Sequence, residues 1–124
     1  MSRAIAAFGA GMAGVAVGLG AFGAHGLKAM LGPEALGWWQ TGVQYQMWHA
    51  LALLALGLAG GERAKGPAML LGGGALLFSS TLYAMALGAP RLLGAVTPLG
   101  GALMIAGWLW LAVRLAGETS RKND

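Results

Sequence analysis

Charged residues divide this chain into four long stretches that contain no Asp, Glu, Lys or Arg. The stretches cover residues 4–27, 35–61, 66–90 and 92–113, and they are 24, 27, 25 and 22 residues long. A helix needs about 20 apolar residues to cross the roughly 30 Å hydrocarbon core of a bilayer. The sequence therefore predicts an all-α integral membrane bundle of four transmembrane helices.

We expect one membrane domain over residues 1–124, with transmembrane helices at about 4–27, 43–60, 67–88 and 97–115. Charged residues make up only 10% of the chain, whereas a soluble domain carries about 25%. A soluble helical bundle would need polar outer faces, which this sequence lacks. The N-terminus is similar to a signal peptide, but three further spans follow it, so we expect an uncleaved first helix.

The distribution of Lys and Arg predicts that both termini face the cytoplasm. Two basic residues, Lys28 and Arg91, fall on one side of the predicted bundle. The other side carries six: Arg3, Arg63, Lys65, Arg114, Arg121 and Lys122. Basic residues near short loops are retained on the cytoplasmic side during insertion. We expect a multi-pass protein of the cytoplasmic (inner) membrane if the source is bacterial. The net charge of +4 forms no basic stripe, so no nucleic-acid partner is expected.

Helix 1 has one bulky and one small face. The bulky side chains recur at steps of three and four: Ile5, Phe8, Met12, Val15, Leu19 and Phe22. The other side carries Gly11, Gly14, Gly18 and Ala21. Small residues allow helix backbones to approach closely in lipid. We therefore expect the small face to pack against protein and the bulky face to meet lipid. In helix 4, Gly100, Gly101 and Gly107 offer a second close-packing face.

Polar residues at the start of helix 2 form a candidate site. It comprises His25, Gln44, Tyr45, Gln46 and His49, and His25 is expected to meet the Tyr45–Gln46–His49 group on the non-cytoplasmic side. A histidine inside the membrane requires hydrogen-bond partners. The group is either a polar clasp that locks helices 1 and 2, or a site that binds a proton or ligand.

Four motifs give the chain a resemblance to a known family. They are GAFGAHGLK at 20–28, TGVQYQMWHALALL at 41–54, LLFSSTLYAMAL at 76–87, and GAVTPLGG with a following GW at 94–108. In this order they resemble domain-of-unknown-function family 423, which includes the small human transmembrane protein 256. The resemblance implies four membrane helices. It implies no activity and no catalytic residue.

Three functions compete on the sequence alone. The first is a structural or accessory membrane component without catalytic activity, which contacts lipid and forms a homo-oligomer or joins a larger membrane complex. The second is an oligomeric transporter or channel subunit that uses His25, His49, Gln44 and Gln46. The third is a b-type haem or metal site between His25 and His49. All four carboxylates lie outside the predicted spans, and we expect no enzyme activity, no metal site and no cofactor.

Overall fold

The chain forms a bundle of four helices, which confirms the all-α class. The computed structural model describes residues 1–123, and the side chains of residues 1–117. Its α-helices are α1 (Arg3–His25), α2 (Pro33–Ala59), α3 (Lys65–Ala86) and α4 (Thr97–Asn123). Short 3₁₀ turns at Leu27–Ala29, Glu62–Ala64 and Arg91–Ala95 join them. Gly61 and Gly88 have φ angles of 65° and 108°, a backbone region that glycine adopts without steric cost.

Consecutive helices run antiparallel and lie side by side. α1 packs along α2, α2 along α3, and α3 along α4. Short connections between the helices produce this up-and-down order. The main core is formed by Met12, Ala50, Leu53, Ala68, Leu71, Ala75 and Met104. A smaller cluster of Leu27, Trp39 and Ala86 closes the end at which α1 finishes and α2 begins.

Three of the helical segments in residues 1–123 are long and apolar enough to cross a membrane. They are Arg3–Ala29, Glu62–Ala86 and Arg91–Gly117. α2 is also long, at 27 residues. Its first two thirds carry polar residues at 40, 41, 44, 46 and 49, which lower its mean hydropathy. The prediction of four crossings thus rests on α2.

α2 starts ten residues before the span predicted from residue 43. Gly32 is extended and Pro33 occupies the first turn, where its missing N–H removes no helical hydrogen bond. Glu34 lies in the same turn, where its negative carboxylate interacts favourably with the positive end of the helix dipole. Hydropathy located the apolar part of this helix, whereas its start is set by these local signals. α4 likewise continues to Asn123, beyond the predicted limit of 115.

The faces of α1 differ from the prediction. A Cβ added at Gly11, Gly14 or Gly18 would meet nothing within 4 Å, so these glycines do not pack inside the chain. Met12, placed on the lipid-facing stripe, is instead buried in the core. The buried side of α1 is a different set of residues: Ala6, Gly9, Met12, Ala16 and Gly23. Small residues occur on two sides of α1, and the sequence alone does not reveal which side meets α2.

Glycines bring the backbones of α1 and α2 into direct contact. A Cβ at Gly9 would lie 2.6 Å from the Leu54 nitrogen, and a Cβ at Gly57 would lie 2.7 Å from Ala6 Cα. The amide of Ser2 donates a 2.6 Å hydrogen bond to the Gly57 carbonyl at the same end. These distances leave no space for a methyl group, so the hairpin depends on glycine at both positions.

α3 and α4 make a similar backbone contact. A Cβ at Gly100 would lie 2.6 Å from the Phe78 nitrogen, and one at Gly74 would lie 2.8 Å from the Gly100 carbonyl oxygen. Gly107 lies against Leu71, whereas Gly101 reaches only the edge of the Phe78 ring. The close contact of this hairpin is therefore centred on Gly100.

Glycine substitutions on α1 and α2 should separate the packed face from the open one. Gly9→Ala and Gly57→Ala should each destabilise the protein by about 1–3 kcal/mol, because a methyl group must displace backbone atoms. Gly14→Ala, in open space on the same helix, should leave stability unchanged or slightly higher. Thermal denaturation in detergent measures this. A Gly14 variant as unstable as the Gly9 variant would show that the α1–α2 contact is placed wrongly.

Candidate functional site

Gln46 connects three helices at the middle of the bundle. Its amide nitrogen donates to the Met12 carbonyl of α1 at 2.9 Å. Its amide oxygen accepts a 2.7 Å hydrogen bond from the Tyr83 hydroxyl of α3. Gln46 is 6% exposed, so the protein shields its amide from the exterior, and the amide depends on these two partners for its hydrogen bonds. A single α2 side chain thereby fixes α1 and α3 at the same depth.

Two more side chains donate to backbone carbonyls of neighbouring helices. The Ser79 hydroxyl donates to the Gly42 carbonyl at 2.7 Å and links α3 to α2. The Trp39 indole N–H donates to the Leu19 carbonyl at 2.8 Å and links α2 to α1. A helical carbonyl has a second lone pair and can accept such a bond while keeping its own. The absence of a side chain at Gly42 also lets the Tyr83 ring approach.

Both ring nitrogens of His49 are occupied, and their partners determine its tautomer. Nδ1 lies 2.8 Å from the Tyr45 carbonyl, which can only accept, so Nδ1 carries the proton. Nε2 accepts a 3.0 Å hydrogen bond from the Trp108 indole N–H of α4. Indole N–H groups only donate, so Nε2 is unprotonated and the ring is neutral. His49 thus links α2 to α4, and protonation of Nε2 would break that link.

A pair of threonine hydroxyls links α3 to α4. Thr81 Oγ1 and Thr97 Oγ1 are 2.7 Å apart. Each also reaches a carbonyl of a preceding turn: Thr97 reaches Leu93 at 3.3 Å, and Thr81 reaches Phe78 at 2.9 Å. One hydroxyl therefore donates to the other, and the second donates to a carbonyl. Within the described part of the chain, every buried side-chain nitrogen or oxygen has a partner.

The structure does not bring the predicted cluster together as expected. Contacts pair Gly9 with Leu53 and Gly23 with Trp39, which places His25 level with residue 37 of α2. His49 is twelve positions further on, an axial offset of about 18 Å at 1.5 Å per residue. His25 is exposed at the end of α1. The predicted meeting of His25 with His49 is therefore wrong, as is a haem or metal held between them.

The remaining members of the cluster separate into different environments. Tyr45 stacks on His49, with ring centroids 6.2 Å apart and planes 10° apart, and also contacts Phe78. Gln44 is exposed on the outer side of α2. No group of three or more potential metal ligands occurs among the described residues. His49 and Gln46 thus lie one turn apart but contact different helices.

The partner of His49 was not predicted from the sequence. Trp108 lies 59 residues away on α4. The GW pair was part of the family pattern, but nothing in that pattern relates it to His49. To place Trp108 beside His49, the antiparallel pairing of helices 3 and 4 would have had to be known. Tyr83 and Ser79 were visible as polar residues in an apolar helix, and a search for helix-bridging hydroxyls could have found them.

An apolar groove runs along the outside of the bundle between α1 and α3. The groove consists of two adjoining halves, and Phe8 and Leu76 line both of them. Gln46, Ser79 and Tyr83 contribute to one half. These polar side chains are already engaged in the interhelical bonds described above. The groove therefore presents an almost entirely apolar surface.

Removing a single hydrogen-bond partner should test the network. Tyr83→Phe leaves the Gln46 oxygen without a donor, and Trp108→Phe leaves His49 Nε2 without one. Each should lower stability by about 1–3 kcal/mol, the usual cost of an unsatisfied buried polar group. Gln44→Leu, on the exposed side of α2, should not lower the stability of the monomer.

In a double-mutant cycle, Tyr83→Phe should lower the stability only slightly once Gln46 has been replaced by leucine. Full additivity would contradict the bond.

Comparison with known proteins supports the membrane assignment. A family model described as a protein of unknown function (DUF423) matches residues 19–101. UPF0382 membrane protein SSP2132 of Staphylococcus saprophyticus is 45% identical, over 80% of this chain and 85% of that protein. UPF0382 membrane protein YwdK of Bacillus subtilis is 44% identical, over 80% and 85%.

The name of a third relative specifies the membrane in which that relative lies. UPF0382 inner membrane protein YgdD of Escherichia coli is 44% identical, over 78% of this chain and 77% of that protein. No solved structure shows significant similarity. The relatives and the three apolar spans together identify a multi-pass membrane protein. The family model and the four motifs agree, and the chain belongs to DUF423, a family of proteins of unknown function.

Proposed function

We propose that the protein crosses the membrane four times, with both termini in the cytoplasm, and acts as a structural or accessory membrane component without catalytic activity. α2 packs between α1 and α3, each of which is apolar enough to span. A helix that packs along two spanning helices occupies the same slab of bilayer. This placement supports α2 as the fourth crossing.

Charged side chains collect at the two ends of the bundle. At one end Arg91 forms a 2.9 Å ion pair with Glu34 and lies over the Trp38 ring. At the other end the Arg114 guanidinium donates to the Arg63 carbonyl at 2.9 Å and lies over Trp110. Arginine and tryptophan are typical of membrane–water interfaces. The six-to-two distribution of basic residues supports a cytoplasmic location for the Arg114 end, and in a bacterium the inner membrane.

The three-helix link at Gln46 is the observation that carries a structural role. Its two hydrogen bonds, together with those of Ser79 and His49, connect all four helices to one another. A polar side chain that serves transport must be able to exchange partners with a substrate or with water. Among the described residues each buried polar side-chain atom has a protein partner, and the neutral His49 ring donates and accepts within the bundle. The arrangement favours rigidity over exchange.

The absence of cysteine makes the topology directly testable. Single cysteines should be introduced at exposed positions, with Met30→Cys and Leu92→Cys at one end and Glu62→Cys at the other. In intact bacteria a membrane-impermeant maleimide should label the first two. The third should react only after the membrane is permeabilised. The reverse pattern would invert the orientation, and labelling of both Met30→Cys and Glu62→Cys in intact cells would contradict the crossing of α2.

Reconstitution separates the structural role from transport. Purified protein in proteoliposomes should conduct no protons above the lipid background, and His49→Phe should lower thermal stability without changing that flux. A proton or solute flux in the wild type that His49→Phe abolishes, in a protein that still folds, would overturn the structural assignment. Gly14→Ala, which alters an open face, serves as the matched control.

A further inference from the structure

The outer side of α2 carries polar residues that the fold leaves unpartnered. Five side chains recur at spacings of four, four, three and seven and form one face, which we name the α2 outer stripe: Gln40, Gln44, Trp48, Leu51 and Leu58. All five are exposed, on the side of α2 opposite Gln46 and Leu53. Within the described residues, neither the Gln40 nor the Gln44 amide makes a hydrogen bond.

The stripe reaches the middle of the proposed membrane slab. Charged residues bound α2 at Glu34, paired with Arg91, and at Glu62, paired with Lys65. The midpoint between positions 34 and 62 is position 48. Gln44 is one turn away, at about 6 Å from the midplane, and Gln40 is at about 12 Å, both inside a hydrocarbon core with a half-thickness of about 15 Å.

An exposed amide at this depth requires a protein partner. Lipid chains offer neither donor nor acceptor, and an unsatisfied polar group in hydrocarbon carries a free-energy cost. The Trp48 residue, which is 54% exposed, lies on the same face of α2. Glutamine side chains within membranes form hydrogen bonds between helices, and such bonds drive helix association.

We propose that the α2 outer stripe is a docking surface for a second copy of this chain, with the Gln44 amides of the two copies hydrogen-bonded to each other. This inference rests on the proposed crossing of α2. A carboxamide both donates and accepts, so two identical amides satisfy each other, and the stripe has no charge to oppose like pairing.

Symmetry explains why a copy of the chain fits better than an unrelated protein. A two-fold axis along the membrane normal places Gln44 of both copies at one depth, and residue i then faces residue i of the partner. Gln40 and Trp48 follow one turn on either side. Leu51 and Leu58, 52% and 55% exposed, continue the same line toward the cytoplasmic end and provide packing. The polar and apolar parts of the stripe thus match those of an identical stripe.

Cysteine cross-linking in native membranes tests the contact. Two cysteines can form a disulfide only when their Cα atoms come within about 7 Å. Oxidation with copper–phenanthroline should convert the Leu51→Cys variant to a covalent dimer. Val15→Cys, similarly exposed but located on α1, should remain monomeric. A dimer of the Val15 variant alone would move the interface to α1 and overturn the proposal.

Variants measured in liposomes quantify the role of the amide. Gln44→Leu should weaken dimerisation about ten-fold, as expected for loss of two intramembrane hydrogen bonds. Ser80→Ala removes a polar group from an exposed part of α3 and should change nothing. A monomeric wild type, or a Gln44→Leu dimer as tight as the wild type, would refute the inference. Because Gln44 is exposed, its replacement should leave the monomer folded, which circular dichroism verifies.

Water accessibility distinguishes failure of this inference from failure of the proposed topology. The cysteine of Leu51→Cys should be inaccessible to a water-soluble maleimide from either side of the membrane. Reaction with the maleimide would show that α2 lies outside the hydrocarbon, and both proposals would fall. A protected cysteine that forms no dimer would leave the four crossings intact and refute only the docking surface.

Discussion

The Gln46 amide is the interaction on which the rest of the bundle depends. In a bilayer, apolar side chains gain little by leaving lipid for protein, so burial alone does not hold the helices together. Specific polar bonds and close backbone contacts must supply the association. Gln46 provides the first by bonding to α1 and α3 at once. The glycine contacts of the two hairpins provide the second, because the bonds form only where backbones lie close together.

Charge spacing predicted much of the fold, because the limits of hydrocarbon are a physical constraint that acts on every span. The all-α class and the apolar character of three helices followed from that constraint. Helix ends did not, because they depend on local caps such as Pro33, which act independently of hydropathy. The face of α1 that meets α2 also could not be predicted. Gly9 and Gly14 are chemically identical, and only the partner helix distinguishes them.

The candidate site was predicted only in part. Gln46 and His49 could be singled out because a polar side chain in an apolar helix needs a partner. Those partners could not be named, because they depend on the axial register between helices. His25 appeared to be close to His49 when helix 2 was assumed to begin at residue 43. The additional ten residues of α2 move His49 deeper and place Trp39, rather than His49, near the end of α1.

The direction of the interhelical hydrogen bonds has a consequence for how this sequence can change over time. Gln46, Ser79 and Trp39 donate from side chains, but their acceptors are main-chain carbonyls of Met12, Gly42 and Leu19. A carbonyl is present whatever residue occupies the position. The donors are therefore constrained in identity, whereas Met12 and Leu19 are constrained only in size and backbone position. Mutational drift at the two ends of each of these three bonds is uncoupled, and residue covariation would not detect the bonds themselves.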